Sequence, residues 1–233
     1  MPQFDIVKEV KPDNTFRVNS IVNNFTLDVE HINEHFTGSI DIEGKEWNVG
    51  VIVGGSGTGK TTIAKECFPE SYIAEYEYNA NAVIDDMPKG CSLSDIEKTF
   101  TSVGFSSPPS WLKPYAVLSN GEKMRVDLAR SILEDRDLVV FDEFTSVVDR
   151  DVAKTASFAL QKAVRRQNKK IIAVSCHRDI LEWIMPDWIY DTDEKCFFGQ
   201  GANTSAPNSS LTYTGLTTKL KAQYGRYLAS III

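Results

Sequence analysis

The chain has 233 residues, 42% of them hydrophobic and 24% charged, with a net charge of −7. That is the composition of an ordinary globular protein with one substantial core, and its acidic balance excludes a general electrostatic attraction to DNA or to anionic membranes. Cys67, Cys91, Cys176 and Cys196 are widely spaced and form no C-x-x-C pair, and with only His31, His35 and His177 there is no zinc-ligand spacing. Unpaired cysteines, no basic-then-apolar leader, and no apolar run near the roughly 20 residues of a membrane span predict a cytoplasmic protein.

In chain order, Ile40 and Ile42 alternate with polar residues, the turn-like EGK follows, and Trp47, Val49 and Val51 alternate again. This pattern predicts an antiparallel hairpin feeding a buried strand, VGVIV. A glycine-rich loop then opens a helix near Lys60. Ser94 to Phe105 reads as a short helix, with Ser94 and Glu97 spaced as a capping box. A Pro- and Ser-rich loop, SSPPSWLKP, leads to LSNGEKMRVDLARSIL, residues 118–133. There Ser119 and Glu122 form a second capping-box pattern, and Met124, Leu128, Ala129, Ile132 and Leu133 fall on one helical face. DLVVF (137–141) and KKIIAV (169–174) are continuous and β-branched, as in strands buried on both faces of a parallel sheet. The helix between them, Asp149 to Gln167, makes a right-handed crossover. WIYD (188–191) is a further strand; GQGANTSAPNSS (199–210) has the composition of a linker, and the last twenty or so residues read as a helix ending in three isoleucines. The run Lys162, Arg165, Arg166, Lys169 and Lys170 reads first as cations at a helix C-terminus, and second as a local nucleic-acid patch.

GGSGTGKT, from Gly54 through Gly55, Ser56, Gly57, Thr58, Gly59 and Lys60 to Thr61, matches G-x-x-x-x-G-K-[ST] between a strand and a helix. Its glycines let the backbone wrap a phosphate with N–H groups pointing inward, and the helix that continues through Thr62 adds its positive end. Lys60 suits the β- and γ-phosphates, and the Thr61 hydroxyl suits Mg²⁺. In DLVVFDEF, Asp142 ends an apolar strand, where an acidic side chain can hold Mg²⁺ through water, and Glu143 follows as a candidate general base. His177 follows the strand IIAVS on the same sheet edge. Taken singly, each of these has a plain alternative: a solvated strand end or a structural histidine.

GGSGTGKT, LSNGEK, FDEF with TSVVD, and SCH, in this order, resemble the ATP-binding cassette (ABC) ATPases, over about residues 15 to 192. Ser119 lies 23 residues before Asp142, Asp149 seven after it and His177 35 after it, separations similar to the family's. The resemblance implies an α/β P-loop NTPase fold: an ABC-type cassette with an N-terminal antiparallel β subdomain, a mostly parallel core sheet and a short helical subdomain. It implies ATP and Mg²⁺ as cofactors, with Lys60, Glu143 and His177 catalytic, Thr61 and Asp142 on the metal, and the P-loop residues through Thr62 on the phosphates. By the same resemblance Ser119 and Gly121 meet the ATP of a second subunit, and Asp149 lies in the loop that faces across an ATP-dependent homodimer. The cap reading of Ser119 and the nucleotide reading are then both right, since a helix end with free N–H groups is also an anion site.

The sequence also departs from the family. Asn120 and Glu122 stand where glycine and glutamine are usual, and Glu122 brings a negative charge near a phosphate site. Phe144 stands where proline is usual, and no glutamine occurs between Lys60 and Ser119. Asp85 and Asp86 are stand-ins for that glutamine, or else members of an exposed turn. An aromatic ring should stack on adenine, with Phe25 at about the right offset and Phe16 its rival. The 59 residues from Lys60 to Ser119 make a trimmed helical subdomain, which argues against a conventional transporter subunit. The expected organisation is one ATPase domain, residues 1–198, and a linker and tail, 199–233. The expected protein is a soluble ABC-type ATPase acting with DNA or a protein partner, the other readings being a transporter motor subunit and an ATP-gated dimerisation module.

Overall fold

In the computed structural model residues 2–9, 12–26, 33–73 and 75–199 are described; the predicted linker beyond Gly199 and the terminal helix lie outside them. The strands are β1 (Gln3–Glu9), β2 (Asn33–Ser39), β3 (Val49–Val53), β4 (Tyr72–Ile73), β5 (Leu138–Phe141), β6 (Lys170–Ser175), β7 (Trp188–Asp191) and β8 (Cys196–Gly199). The α-helices are α1 (Phe16–Phe25), α2 (Lys60–Cys67), α3 (Leu93–Ser102), α4 (Pro108–Trp111), α5 (Asn120–Leu133), α6 (Arg150–Arg166) and α7 (Ile180–Ile184).

Six strands form one sheet in the order β4-β5-β6-β3-β7-β8, with β4 to β7 parallel and β8 antiparallel to β7. All of β3 is buried, as is all of β6 after Lys170. The period of two divides these strands between the two faces. Val49, Val51, Val53, Ile171 and Ala173 pack with α5, α6 and α7; Ile52, Ile172 and Val174 pack with Ile63 and Ala64 of α2. The continuous β-branched runs of the sequence are thus explained by helices on both sides.

The antiparallel part differs from the predicted hairpin. Residues 40–48 form a turn and irregular backbone, and the antiparallel pair is β1 with β2, in register from Gln3↔Ser39 to Glu9↔Asn33. Ile40 and Trp47 are buried beside Trp188 in the second core cluster, so their apolar character serves packing from a loop. The helical region between β4 and α5 shares the first core. Val83, Ile96, Phe100, Val103 and Phe105 pack in one cluster with Leu128 and Ile132. The cap of α3 lies two residues earlier than predicted: Ser92, not Ser94, is the cap, accepting from Asp95 N–H.

Candidate nucleotide site

Because β3, β5 and β6 run parallel, with Val53↔Ser175 and Phe141↔Ala173 level, the P-loop, Asp142 and His177 leave the same edge of the sheet. Local hydrogen bonds fasten these loops together. Ser175 Oγ donates to the Phe144 carbonyl at 2.9 Å and accepts the His177 N–H at 3.1 Å, and Phe144 N–H donates to the Val174 carbonyl. Phe144, where proline was expected, is fully buried and packs against Phe141.

The P-loop runs from Gly54 into α2. Gly57 and Gly59 have φ of +80° and +85°, which side-chain-bearing residues rarely adopt. Gly59 occupies the N-cap with no side-chain cap bond, so the first N–H groups of α2 remain open to an anion. The floor of the loop comes from the β7–β8 turn. Thr192 Oγ1 lies 2.5 Å from Thr58 Oγ1, and Gly55 N–H donates to the Asp193 carboxylate at 3.0 Å. Arg178, next to His177, pairs with both Asp191 and Asp193, which joins the histidine turn to that floor. Lys60 Nζ reaches the Gly55 carbonyl, and Thr61 and Thr62 are half-buried while Ser56 is exposed.

Asp142 is held at both oxygens: Oδ1 accepts the Glu143 N–H at 2.8 Å and Oδ2 the Tyr72 O–H at 2.6 Å. Burial first, then the hydrogen bond to Asp142, push the Tyr72 phenol well above its ordinary range. Glu143 is exposed in the left-handed region, φ +52°, with its carboxylate accepting from Ser146 Oγ. Such backbone costs of the order of 1–3 kcal/mol in a non-glycine residue and concentrates at functional sites.

The first turn of helix α5 lines a cavity that Asp142 and Glu143 also line. The capping box at Ser119 is complete: Ser119 Oγ accepts Glu122 N–H, and Glu122 Oε2 accepts both Ser119 N–H and Oγ–H. Ser110 donates to the other Glu122 oxygen. The Ser119 N–H bond, then the Ser110 and Ser119 hydroxyls, hold this carboxyl below its ordinary range. The added negative charge is therefore already satisfied locally. Asn120 and Lys123 line a cavity of about 340 Å³ together with Asp142, Glu143, Thr145 and Glu75. Tyr76 also lines it, and the buried Tyr76 and Thr145 hydroxyls have no hydrogen-bond partner among the described residues. Asp149 caps α6, accepting from the Asp151 and Val152 N–H groups, and Gly121 faces the Val152 side chain, so the two capped helix ends adjoin.

Asp85 and Asp86 end a short 3₁₀ helix, Val83–Asp86: Asp86 is half-buried and accepts from Asn79 and Ala80 N–H, and Asp85 is exposed. Glu75, just past β4, lines the cavity instead. The segment after it is fastened to α5. Tyr78 and Tyr115 stack at 3.9 Å and donate to Asp127 at 2.7 and 2.9 Å, while Arg130 lies over Tyr76 and Tyr78 and donates to the Glu77 carbonyl.

Burial raises Asp127 from 3.8 to about 6, against the lowering effect of the two tyrosines. The sign follows from linkage. A carboxyl whose folded pKa is raised binds protons more tightly when folded, so its contribution is most favourable at low pH and is lost as pH rises through about 6. Asp127→Asn removes this dependence. Between pH 7.5 and 5.5 the native protein is expected to gain roughly 0.8 kcal/mol over Asp127→Asn, measured by urea unfolding at both values.

Phe16 and Phe25 are the first and last residues of α1, 86% and 68% exposed, on a helix with no buried residue. The ring that meets the P-loop is Phe36 of β2: a Cβ at Gly59 would lie 2.4 Å from it. Phe36, Tyr72 and Glu75 escape a motif reading, because each meets residues far away in sequence. Of the basic run, Arg165 and Arg166 lie in the last turn of α6, Arg165 pairs with Asp187, Lys169 bonds the Ile132 and Glu134 carbonyls, and Lys170 lies over Trp47.

No family model matches the chain. The Lactococcin-G-processing and transport ATP-binding protein LagD of Lactococcus lactis is 31% identical over 42% of this chain, which spans 13% of that protein. The energy-coupling factor transporter ATP-binding protein EcfA1 of Leuconostoc mesenteroides is 23% identical, over 76% of this chain and 79% of its own length. Among solved structures, the ATP-binding cassette MJ0796, dimeric and bound to ADP and Pi, superposes with a TM-score of 0.54 at 13% identity, covering 71% of this chain and 89% of its own. A second dimeric structure of MJ0796 gives 0.52, over 69% and 88%. Among the described residues no helix is long and apolar enough to cross a membrane. With its motifs in the family's order on that family's sheet, the chain is built as an ABC-type ATPase cassette of the P-loop NTPase fold, the family that uses ATP with Mg²⁺.

Proposed function

We propose that the chain binds and hydrolyses ATP with Mg²⁺, two copies closing head to tail over two nucleotides. The observation that carries the reading is the gathering of P-loop, Asp142, Glu143 and His177 on one sheet edge, with the capped ends of α5 and α6 exposed beside them. Lys60 and the open N–H groups of α2 hold the phosphates. Thr61 and Asp142 would hold Mg²⁺. Both are hard oxygen donors, and each Asp142 oxygen spends one hydrogen bond and keeps a further lone pair. Among the described residues no group of three or more His, Cys, Asp or Glu gathers as a metal cage. That fits a cation held by one or two protein oxygens, with phosphates and waters completing its shell. When bound, the ion neutralises charge on the phosphate oxygens.

Glu143 then takes the proton of the attacking water, and His177 hydrogen-bonds the γ-phosphate. Ser119 and Gly121 of one copy meet the γ-phosphate held by the other, and Asp149 faces across the pair. This requires Ser119 Oγ to leave Glu122 or to share its proton. For adenine the candidate rings are Phe25, its rival Phe16, and Phe36, and the contact of Phe36 with the P-loop favours Phe36.

The cycle would serve a DNA or protein partner in the cytoplasm. A second reading, a transporter motor subunit, is favoured by the transport roles in the names of LagD and EcfA1; the trimmed helical region speaks against it. The test is ATPase rate against protein concentration, with and without DNA. A rate per molecule that rises with concentration is expected. A rate strictly proportional to protein, from dilute to concentrated, would remove the two-copy site.

A further inference from the structure

We infer that Tyr72 is a positioning residue for Asp142, turning its carboxylate toward the nucleotide's metal ion; the inference rests on the proposed Mg²⁺–ATP reading. Tyr72 O–H donates to Asp142 Oδ2 at 2.6 Å, and the other oxygen takes only a neighbouring backbone N–H. Without the phenol, one hydrogen bond from the adjacent residue is left to fix the torsion of the carboxylate. With it, the plane of the group is set from two sides.

The phenol is itself held firmly. Tyr72 pairs with Val140 across β4 and β5, its N–H donates to the Phe68 carbonyl, and Val140 N–H donates to Ser71. Its ring packs on the second core cluster and lies under the Lys65 ammonium at 4.9 Å. Lys65 is on α2, the helix that opens at Lys60. One side chain thus spans from the phosphate-binding helix to the metal-binding aspartate. Packing alone needs the ring and not the hydroxyl, so Tyr72→Phe separates the two roles. Groups that orient a metal's ligands commonly cost 10–100-fold in metal affinity or activity when removed.

The experiment follows binding of a fluorescent, non-hydrolysable ATP analogue in EDTA and across a Mg²⁺ titration, for the native protein, Tyr72→Phe and Asp142→Asn. Native protein is expected to bind more tightly as Mg²⁺ rises, and Asp142→Asn to lose most of that gain. Tyr72→Phe should match native affinity in EDTA yet need about tenfold more Mg²⁺ for half the gain. An unmoved Mg²⁺ midpoint in Tyr72→Phe overturns the inference and leaves the Mg²⁺–ATP reading standing. An equal loss of affinity with and without Mg²⁺ also overturns it, assigning Tyr72 to the shape of the P-loop helix. No Mg²⁺ effect in the native protein defeats the metal assignment of Asp142, and the inference with it.

Discussion

Glu143→Gln is expected to turn a nucleotide-free monomer into a dimer that persists with ATP and Mg²⁺. Gln keeps the shape of the side chain but cannot accept the proton of water, so ATP cannot leave by hydrolysis. Lys60, Thr61 and Asp142 are untouched, and the binding energy of two nucleotides then holds the pair together. Adding Ser119→Arg should abolish the dimer. Ser119 is exposed at the N-cap of α5, and a long side chain there blocks the end that must meet the other copy's γ-phosphate. The helix itself should survive, since losing the cap costs only about 1 kcal/mol. Light scattering with size-exclusion chromatography reads both results. A Glu143→Gln protein that stays monomeric at high concentration in saturating ATP would reduce Ser119 to a helix cap, or require a different chain to complete the site.

The second large effect is at Lys60. Its ammonium lies on the Gly55 carbonyl, within the loop that would surround the phosphates. A charge-assisted hydrogen bond to phosphate is worth about 1.5–3 kcal/mol, so Lys60→Ala should weaken ATP binding tenfold or more. Folding should be little changed, because the side chain is half-buried and, among the described residues, bonds the Gly55 carbonyl of its own loop. Calorimetric titration with ATP checks this, and native affinity in a folded Lys60→Ala protein would refute the phosphate site.

How far each feature was legible depended on the sequence distance over which it is built. The P-loop and the Ser119 capping box arise within a few residues, from glycine torsions and helix-end N–H groups, and their sequences state them directly. The buried parallel strands were legible because both faces of β3 and β6 are covered, which demands unbroken apolar runs. The predicted 40–51 hairpin failed for a related reason: alternating apolar residues mark a half-buried segment, and a loop that packs Ile40 and Trp47 leaves the same trace.

By itself, then, the sequence determined the residues proposed for the site: the phosphate loop, the acidic pair, the histidine and the capped helix, with the order of strands and helices that carries them. Tertiary structure alone decided their neighbours. Tyr72 meets Asp142 across 70 residues, Asp193 meets Gly55 across 138, and β1 finds β2 some 30 residues on. Strand β4 has only two residues, too few to show a period. Glu75 reaches the cavity because β4 pairs beside β5, and Phe36 reaches Gly59 because the β1–β2 ribbon lies beside the P-loop. Such contacts form only once strand pairing and core burial have brought distant segments together, so no local pattern of residue types encodes them.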